Sequence, residues 1–157
     1  MPNLDDHYLY EMLILESFQA GLSWECVLNK RENFRDAYDH FDIRKVVCYD
    51  DAKIAELMNN PGIIRNRRKI EASIRNSKIF QEVSAEYGSF YTYLRTFTQD
   101  KTIYETDKTT NALSDAIAKD LQNRGMRFVG SVVVYAYLQA IGVIYSHDAD
   151  CFLYRGE

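Results

Sequence analysis

Between the few glycines, apolar positions recur three and four residues apart rather than two, and that spacing predicts an all-α fold. Asp5 or Asp6 can cap a first helix whose Leu9, Met12, Leu13 and Phe18 share a face, and Gly21 suits its C-terminal stop. Ser23 can cap a second helix, in which Trp24, Val27, Leu28, Phe34, Ala37 and Tyr38 are interleaved with Lys30, Arg31, Glu32 and Arg35 out to about His40. Short helices follow over about 43–47 and 50–59. Asn60, Pro61 and Gly62 break the chain, and Asn66 or a neighbour opens a basic helix with Ile70, Ile74 and Ile79 on one face. Residues 90–97 read as a further helix, and the polar, Thr-rich stretch 98–111 as a surface loop.

The C-terminal part carries the clearest supersecondary signal. Leu113, Ala116, Ile117 and Leu121 define an amphipathic helix over 112–124; a tight connection at 125–130 follows, and Ser131 starts the next helix. The run SVVVYAYLQAI from Ser131 is ambiguous by composition, because three valines favour a strand while an apolar segment also suits a buried helix. Its eleven residues exceed the usual strand of about 5–6, so a helix-hairpin-helix is expected at about 113–142.

Composition narrows the class. A chain of 157 residues with 46% hydrophobic and 27% charged positions, and no linker-like tract, is expected to form one domain over 1–157. The least charged run, 128–145, is broken by Gly130, Ser131, Gln139 and Gly142 and is too short for a membrane span. No charged segment followed by an apolar one stands at the start, so no export signal is expected. Cys26, Cys48 and Cys151 are odd in number and widely spaced, which predicts free thiols and a cytoplasmic protein. A formal charge of -4 disfavours nucleic acid, but residues 61–80 hold six bases and one acid, a local net of +5.

A glycine-containing hairpin between two helices can bring backbone N–H groups and a helix N-terminus against a DNA phosphate, here with Gly130, Ser131 and Arg127. On spacing alone, a plain αα-hairpin in a bundle is the favoured reading. Several blocks taken together change that balance: LESFQAGLSW from Leu15, LNKRENFR from Leu28, GIIRNRRKI from Gly62, RGMRFVG from Arg124 and QAIG from Gln139. In these blocks, and in their order from Pro2 to Cys151, the chain resembles the DNA-3-methyladenine glycosylase I family.

The resemblance implies a monomeric base-excision enzyme that acts on duplex DNA containing N3-alkylated adenine. It would flip the base out, hydrolyse its N-glycosidic bond without a lyase step and release free 3-methyladenine, with no catalytic cofactor and no membrane partner. Glu16 matches the family's pocket glutamate; without the motif, one of 23 acids would be read as a helix residue facing solvent. Trp24 is implied as a wall of the base pocket, with a core anchor as the plainer alternative. Gly21 and Leu22 are implied as the turn and wedge that fill the gap left by the flipped base. Gly62, Arg65, Arg67 and Lys69, with Arg68, are implied on the phosphates, although a charge run is more often a solvated helix face. The pocket is expected between the hairpin and the first two helices.

His147 and Cys151 match half of a structural zinc site in the family, and zinc takes four ligands. The resemblance implies that the other half, and further aromatic residues of the pocket, come from an N-terminal family segment for which no counterpart is expected in this sequence. A second reading follows from that gap, a DNA-binding homologue that recognises damage or ends without excision; a third, apart from it, is a helical protein-interaction module with no nucleic-acid role.

Overall fold

The computed structural model describes residues 5–19 and 30–145. Helices dominate it, as the apolar spacing predicts. α1 (Asp6–Gln19) is the central element: residues 9–18 are all buried, including Glu11 and Glu16. A helix covered on every side must lie inside the protein, and α1 packs against both the long helix α5 (Arg67–Tyr87) and α8 (Ser131–Ala140). Asp5 caps its start, its carboxylate accepting from the Tyr8 N–H at 3.3 Å. Asp6 reaches across instead and accepts the first N–H groups of α6 (Phe90–Thr98), from Phe90 at 2.9 Å and Tyr91 at 3.1 Å.

Between these lie α2 (Arg31–Ala37), α3 (Ile43–Val46) and α4 (Asp51–Met58). The sequence pattern carries the second helix to about His40; α2 ends at Ala37, and a single 3-10 turn spans Asp39–Phe41. All three turn residues have positive φ, 54° to 57°, a region that L-residues seldom occupy. Side chains from elsewhere hold this turn: the Tyr49 hydroxyl donates to Asp39 at 2.6 Å, and His7 Nε2 lies 3.0 Å from the His40 carbonyl. Such tertiary support has no signature in local spacing.

The stretch expected to be wholly loop, 98–111, contains a short strand. β1 (Ile103–Tyr104) pairs in parallel with β2 (Ile144–Tyr145), Ile103 opposite Ile144 and Tyr104 opposite Tyr145. The tyrosine rings stack with centroids 5.7 Å apart. Two residues are too few to show alternation, and the partners lie forty-one positions apart.

The helix-hairpin-helix forms where expected. α7 (Ala112–Asn123) begins with a reciprocal cap between Asn111 and Ser114. It ends in a Schellman motif: Met126 N–H bonds the Leu121 carbonyl, Gly125 N–H bonds that of Gln122, and Gly125 supplies the left-handed φ of 107°. The chain then folds back so that α8 starts beside the first turn of α7, where the Ser131 and Ser114 hydroxyls lie 2.7 Å apart. The valine-rich run is the α8 helix, because Val134, Tyr135, Tyr137 and Leu138 are buried along it.

Candidate nucleic-acid interface and base site

Glu16 stands one turn before the end of α1 and is 2% exposed. It does not face solvent, which corrects the plainer reading of an acid on a wet helix face. Its Oε1 atom finds no hydrogen-bond partner among the described residues. Burial therefore pushes its carboxyl up to about 8, with no cation among the described residues to oppose the effect. Tyr137 of α8 is buried nearby, its hydroxyl committed to the Leu9 carbonyl at 2.9 Å; burial raises its pKa, and the charge of Glu16 adds a smaller upward push. A carboxyl held in an apolar site without a counter-charge suits a cationic or N–H-bearing ligand, because ligand binding would supply the missing partner.

Gly21, Leu22 and Trp24, which the sequence sets against this site, lie outside the described residues, as do His147 and Cys151. The expected cavity between the hairpin and the first two helices includes positions 21–24. A different cavity, of about 710 Å³, lies at the N-terminal end of α1, where Asp6, His7 and Tyr10 meet the Asp39–Phe41 turn. Among the described residues no group of three or more His, Cys, Asp or Glu side chains is placed to hold a metal ion. His147 and Cys151 would supply two of the four donors that a structural zinc takes.

The basic segment divides when folded. Gly62 sits in a tight loop where its N–H donates to Asn60 Oδ1 at 2.8 Å, and an added Cβ would come within 3.0 Å of Asn33. Arg65 and Arg68 are exposed and form no ion pair among the described residues. Arg67 is exposed but engaged by Glu71 at 3.1 Å. Lys69 departs from the expectation of a surface cation: it is buried, and its ammonium donates to the Phe18 carbonyl at 2.8 Å. The helical period explains the split within α5, since position 69 falls on the same face as the buried Ile70 and Ser73 while 67 and 68 face outward; Arg65 is exposed in the loop before the helix.

The hairpin adds residues that the basic run does not include. Arg68 and Arg75 of α5 converge with Arg127 and Phe128 of the hairpin around a cleft of about 640 Å³. Phe128 has φ 59° and stays partly exposed, with the Lys69 ammonium 5.9 Å from its ring centroid. Gly130 is the N-cap of α8, and a Cβ there would meet nothing within 4 Å. Among the described residues no side chain caps this helix, so its first N–H groups remain available to an external acceptor. The Ser131 hydroxyl is turned inward and donates to Asp115 at 2.5 Å, which leaves the backbone rather than the side chain to face a ligand. Sequence reasoning missed Arg75 and Val132, the latter 59% exposed on the first turn of α8. Projecting 131–140 as a helix could have found Val132, whereas Arg75 meets the hairpin only in the folded chain.

A helix-hairpin-helix with an open second helix beside a basic cleft, together with a buried carboxyl that has one oxygen unpartnered among the described residues, suits a DNA-binding protein that takes in one polar or charged group. Comparison with known proteins is specific about which. The methyladenine glycosylase family model matches residues 1–154. The chain is 37% identical to DNA-3-methyladenine glycosylase 1 of Escherichia coli (strain K12), over 100% of this chain and 87% of that protein. It is 35% identical to the DNA-3-methyladenine glycosylase of Haemophilus influenzae, over 96% of this chain and 84% of that one. The fold matches 3-methyladenine DNA glycosylase I from Staphylococcus aureus, solved for its recognition of 3-methyladenine, with a TM-score of 0.87 at 31% identity, covering 95% of this chain and 81% of that one. The chain belongs to the methyladenine glycosylase family and is an enzyme of base excision repair.

Proposed function

We propose that this chain hydrolyses the N-glycosidic bond of N3-methylated adenine in duplex DNA, with Glu16 as the residue that recognises the extruded base. The observation that carries the reading is the Glu16 carboxyl, buried at 2% exposure with Oε1 unpartnered among the described residues. Methylation at N3 makes the base cationic in the nucleotide, so cleavage of the C1′–N bond sends the bonding pair to the base and releases it neutral. The sugar is left with oxocarbenium character; a water oxygen bonds to C1′ and its proton goes to solvent. Little acid catalysis is needed for a leaving group of this kind. Selection of the base is then the main task, and a buried carboxyl meets it because a cationic partner offsets the burial of its negative charge.

In this reading the α8 N-terminus at Gly130 and Ser131 binds a phosphate through backbone N–H groups, while Arg65, Arg127 and the Gly62 loop add phosphate contacts. Arg67 contributes less because Glu71 already engages it, and Lys69 acts from within by fixing the end of α1. Gly21 and Leu22 as turn and wedge, and Trp24 as stacking wall, complete the proposal. A structural zinc at His147 and Cys151 needs two donors from elsewhere, and metal analysis of the purified chain tests it. The reading also takes the protein as a cytoplasmic monomer; among the described residues no helix is long and apolar enough to cross a membrane.

The decisive experiment is release of free base from N-methylated duplex by the purified chain beside Glu16→Gln. Excision by the chain and its collapse in the variant support the reading. Tight binding to damaged duplex without excision by either would favour the damage-recognising homologue.

A further inference from the structure

We propose that Asn76 is a positioning residue for this reaction: through the backbone of Arg127 it sets the shape of the hairpin that presents the α8 N-terminus to DNA. The proposal rests on the glycosylase reading above. Asn76 lies on α5, fifty-one positions from the hairpin, and is 1% exposed. Its amide is spent on a single hairpin residue. Oδ1 accepts the Arg127 N–H at 2.9 Å, and Nδ2 donates to the Arg127 carbonyl at 2.8 Å. The two bonds run in opposite directions, so only one orientation of the amide satisfies both; the reverse would set N–H against N–H and oxygen against oxygen.

The two buried serines on α5 are used differently. Ser73 and Ser77 bond carbonyls of their own helix and the hydroxyls of Tyr38 and Tyr10 within the core. Asn76 instead reads the backbone of a separate segment as a strand neighbour would, and it does so beside the hairpin's least favoured conformation. Phe128, the next residue, is a non-glycine at φ 59°. Arg75 adds a third tie, its Nε donating to the Gly125 carbonyl at 2.5 Å. Together these bonds fix the path of the chain into Gly130, and that path aims the first N–H groups of α8. Hydrogen bonds weaken steeply off axis, so a hairpin free to tilt would lose the phosphate that its helix is built to bind.

The same helix also reaches the base site. Seven positions before Asn76, two turns along the same face, Lys69 donates to the Phe18 carbonyl at the end of α1, two residues beyond Glu16. One rigid element therefore spaces the carboxyl that meets the base from the helix end that meets the backbone.

The test compares the full chain with Asn76→Ala and Asn76→Asp in three measurements: equilibrium binding to methylated duplex over a salt titration, single-turnover excision at saturating DNA, and binding of free 3-methyladenine. Asn76→Ala is expected to weaken duplex binding about tenfold across the titration, with the slope of log K against log salt close to the parent's because the misaimed backbone N–H groups carry no net charge. Excision at saturation and affinity for the free base stay close to those of the parent, which a generally loosened fold would not allow. Asn76→Asp keeps the acceptor for the Arg127 N–H but sets a carboxylate against the Arg127 carbonyl, so it shows the same split at nearly unchanged side-chain volume. A folded Asn76→Ala or Asn76→Asp protein with parental duplex affinity would overturn the proposal, as would a loss of free-base binding in step with duplex binding. A parent chain that neither binds nor cuts methylated duplex would instead overturn the glycosylase reading on which the proposal stands.

Discussion

Glu11 and Glu16 stand five residues apart on the same helix, 3% and 2% exposed, and differ in what faces them. Glu11 meets two guanidiniums of α2: Arg35 Nε at 2.7 Å and Arg31 Nε at 3.0 Å. Burial alone would raise its pKa, but the hydrogen bonds from Arg35 and Arg31 outweigh that and hold it below the usual carboxylate range. Among the described residues Glu16 has the burial without the cations, and it is pushed up to about 8. A buried acid with two partners is a joint between helices. One with none carries an unrepaid desolvation cost, and such a cost is the mark of a site waiting for a ligand.

The sharpest way to break this contrast is to neutralise both acids. Glu16→Gln keeps size and shape, and excision of 3-methyladenine is expected to fall by about a hundredfold or more, the scale of losing a charge aimed at a developing cation. DNA binding is retained, since the phosphate contacts lie elsewhere. Glu11→Gln leaves excision per folded molecule unchanged. If excision were equally depressed in both variants, the two acids would not differ in the way their surroundings imply.

A second effect follows from the opposite pKa shifts. Glu16 binds its proton more tightly folded than unfolded, so its contribution to stability is complete below about pH 4.5 and is lost as pH rises through about 8. Glu11 behaves in reverse: its contribution is present above the ordinary carboxylate pKa and is lost as pH falls through its lowered value. Urea unfolding of parent and Glu16→Gln at pH 5, 6.5 and 8 is therefore expected to show the variant gaining relative stability with pH, by at most about 1.4 kcal/mol per unit. A constant difference across that range would remove the buried proton from Glu16.

Glu11→Gln is expected to cost about 2 kcal/mol, the scale of hydrogen bonds to charged groups, because Arg31 and Arg35 remain partly exposed and can turn to water. For a chain of 157 residues that lowers the melting temperature by about 4–8 °C. A melting temperature that did not move would mean that the α1–α2 joint adds nothing net.

How far the sequence reveals this contrast depends on the range of the forces involved. Helix positions were legible, since Asn66, Ser89 and Asn111 cap α5, α6 and α7 by bonds to N–H groups three residues ahead. The hairpin was legible too, because Gly125 and Gly130 bracket it in sequence. The partners of Glu11 lie twenty and twenty-four positions away, and spacing along α1 does not tell Glu11 from Glu16; only the matched motif singled out Glu16. Lys69 was misplaced for the same reason: a basic run reads as surface until the helix turns one member inward. Asn76 and Arg75 gave no signal, because their roles exist only once the hairpin has come back against α5.

The smallest expected effect sharpens the same distinction between paired and unpaired charge, now at the surface. Arg67 and Arg127 are both exposed, but Arg67 is engaged by Glu71 one turn along α5, whereas Arg127 lies beside the open α8 N-terminus and forms no ion pair among the described residues. A guanidinium already neutralised by a neighbouring carboxylate releases few counterions when a phosphate arrives. Arg127→Ala should therefore reduce the slope of log K against log salt by about 0.9, while Arg67→Ala should change it by less than half as much. Exposed pairs contribute little to stability, about 0.3–0.5 kcal/mol at this helical spacing, so both variants should melt close to the parent and the comparison stays one of binding. Equal salt slopes for the two variants would show that Glu71 yields Arg67 to the DNA, and that pairing in the free protein does not decide which arginines the phosphates use.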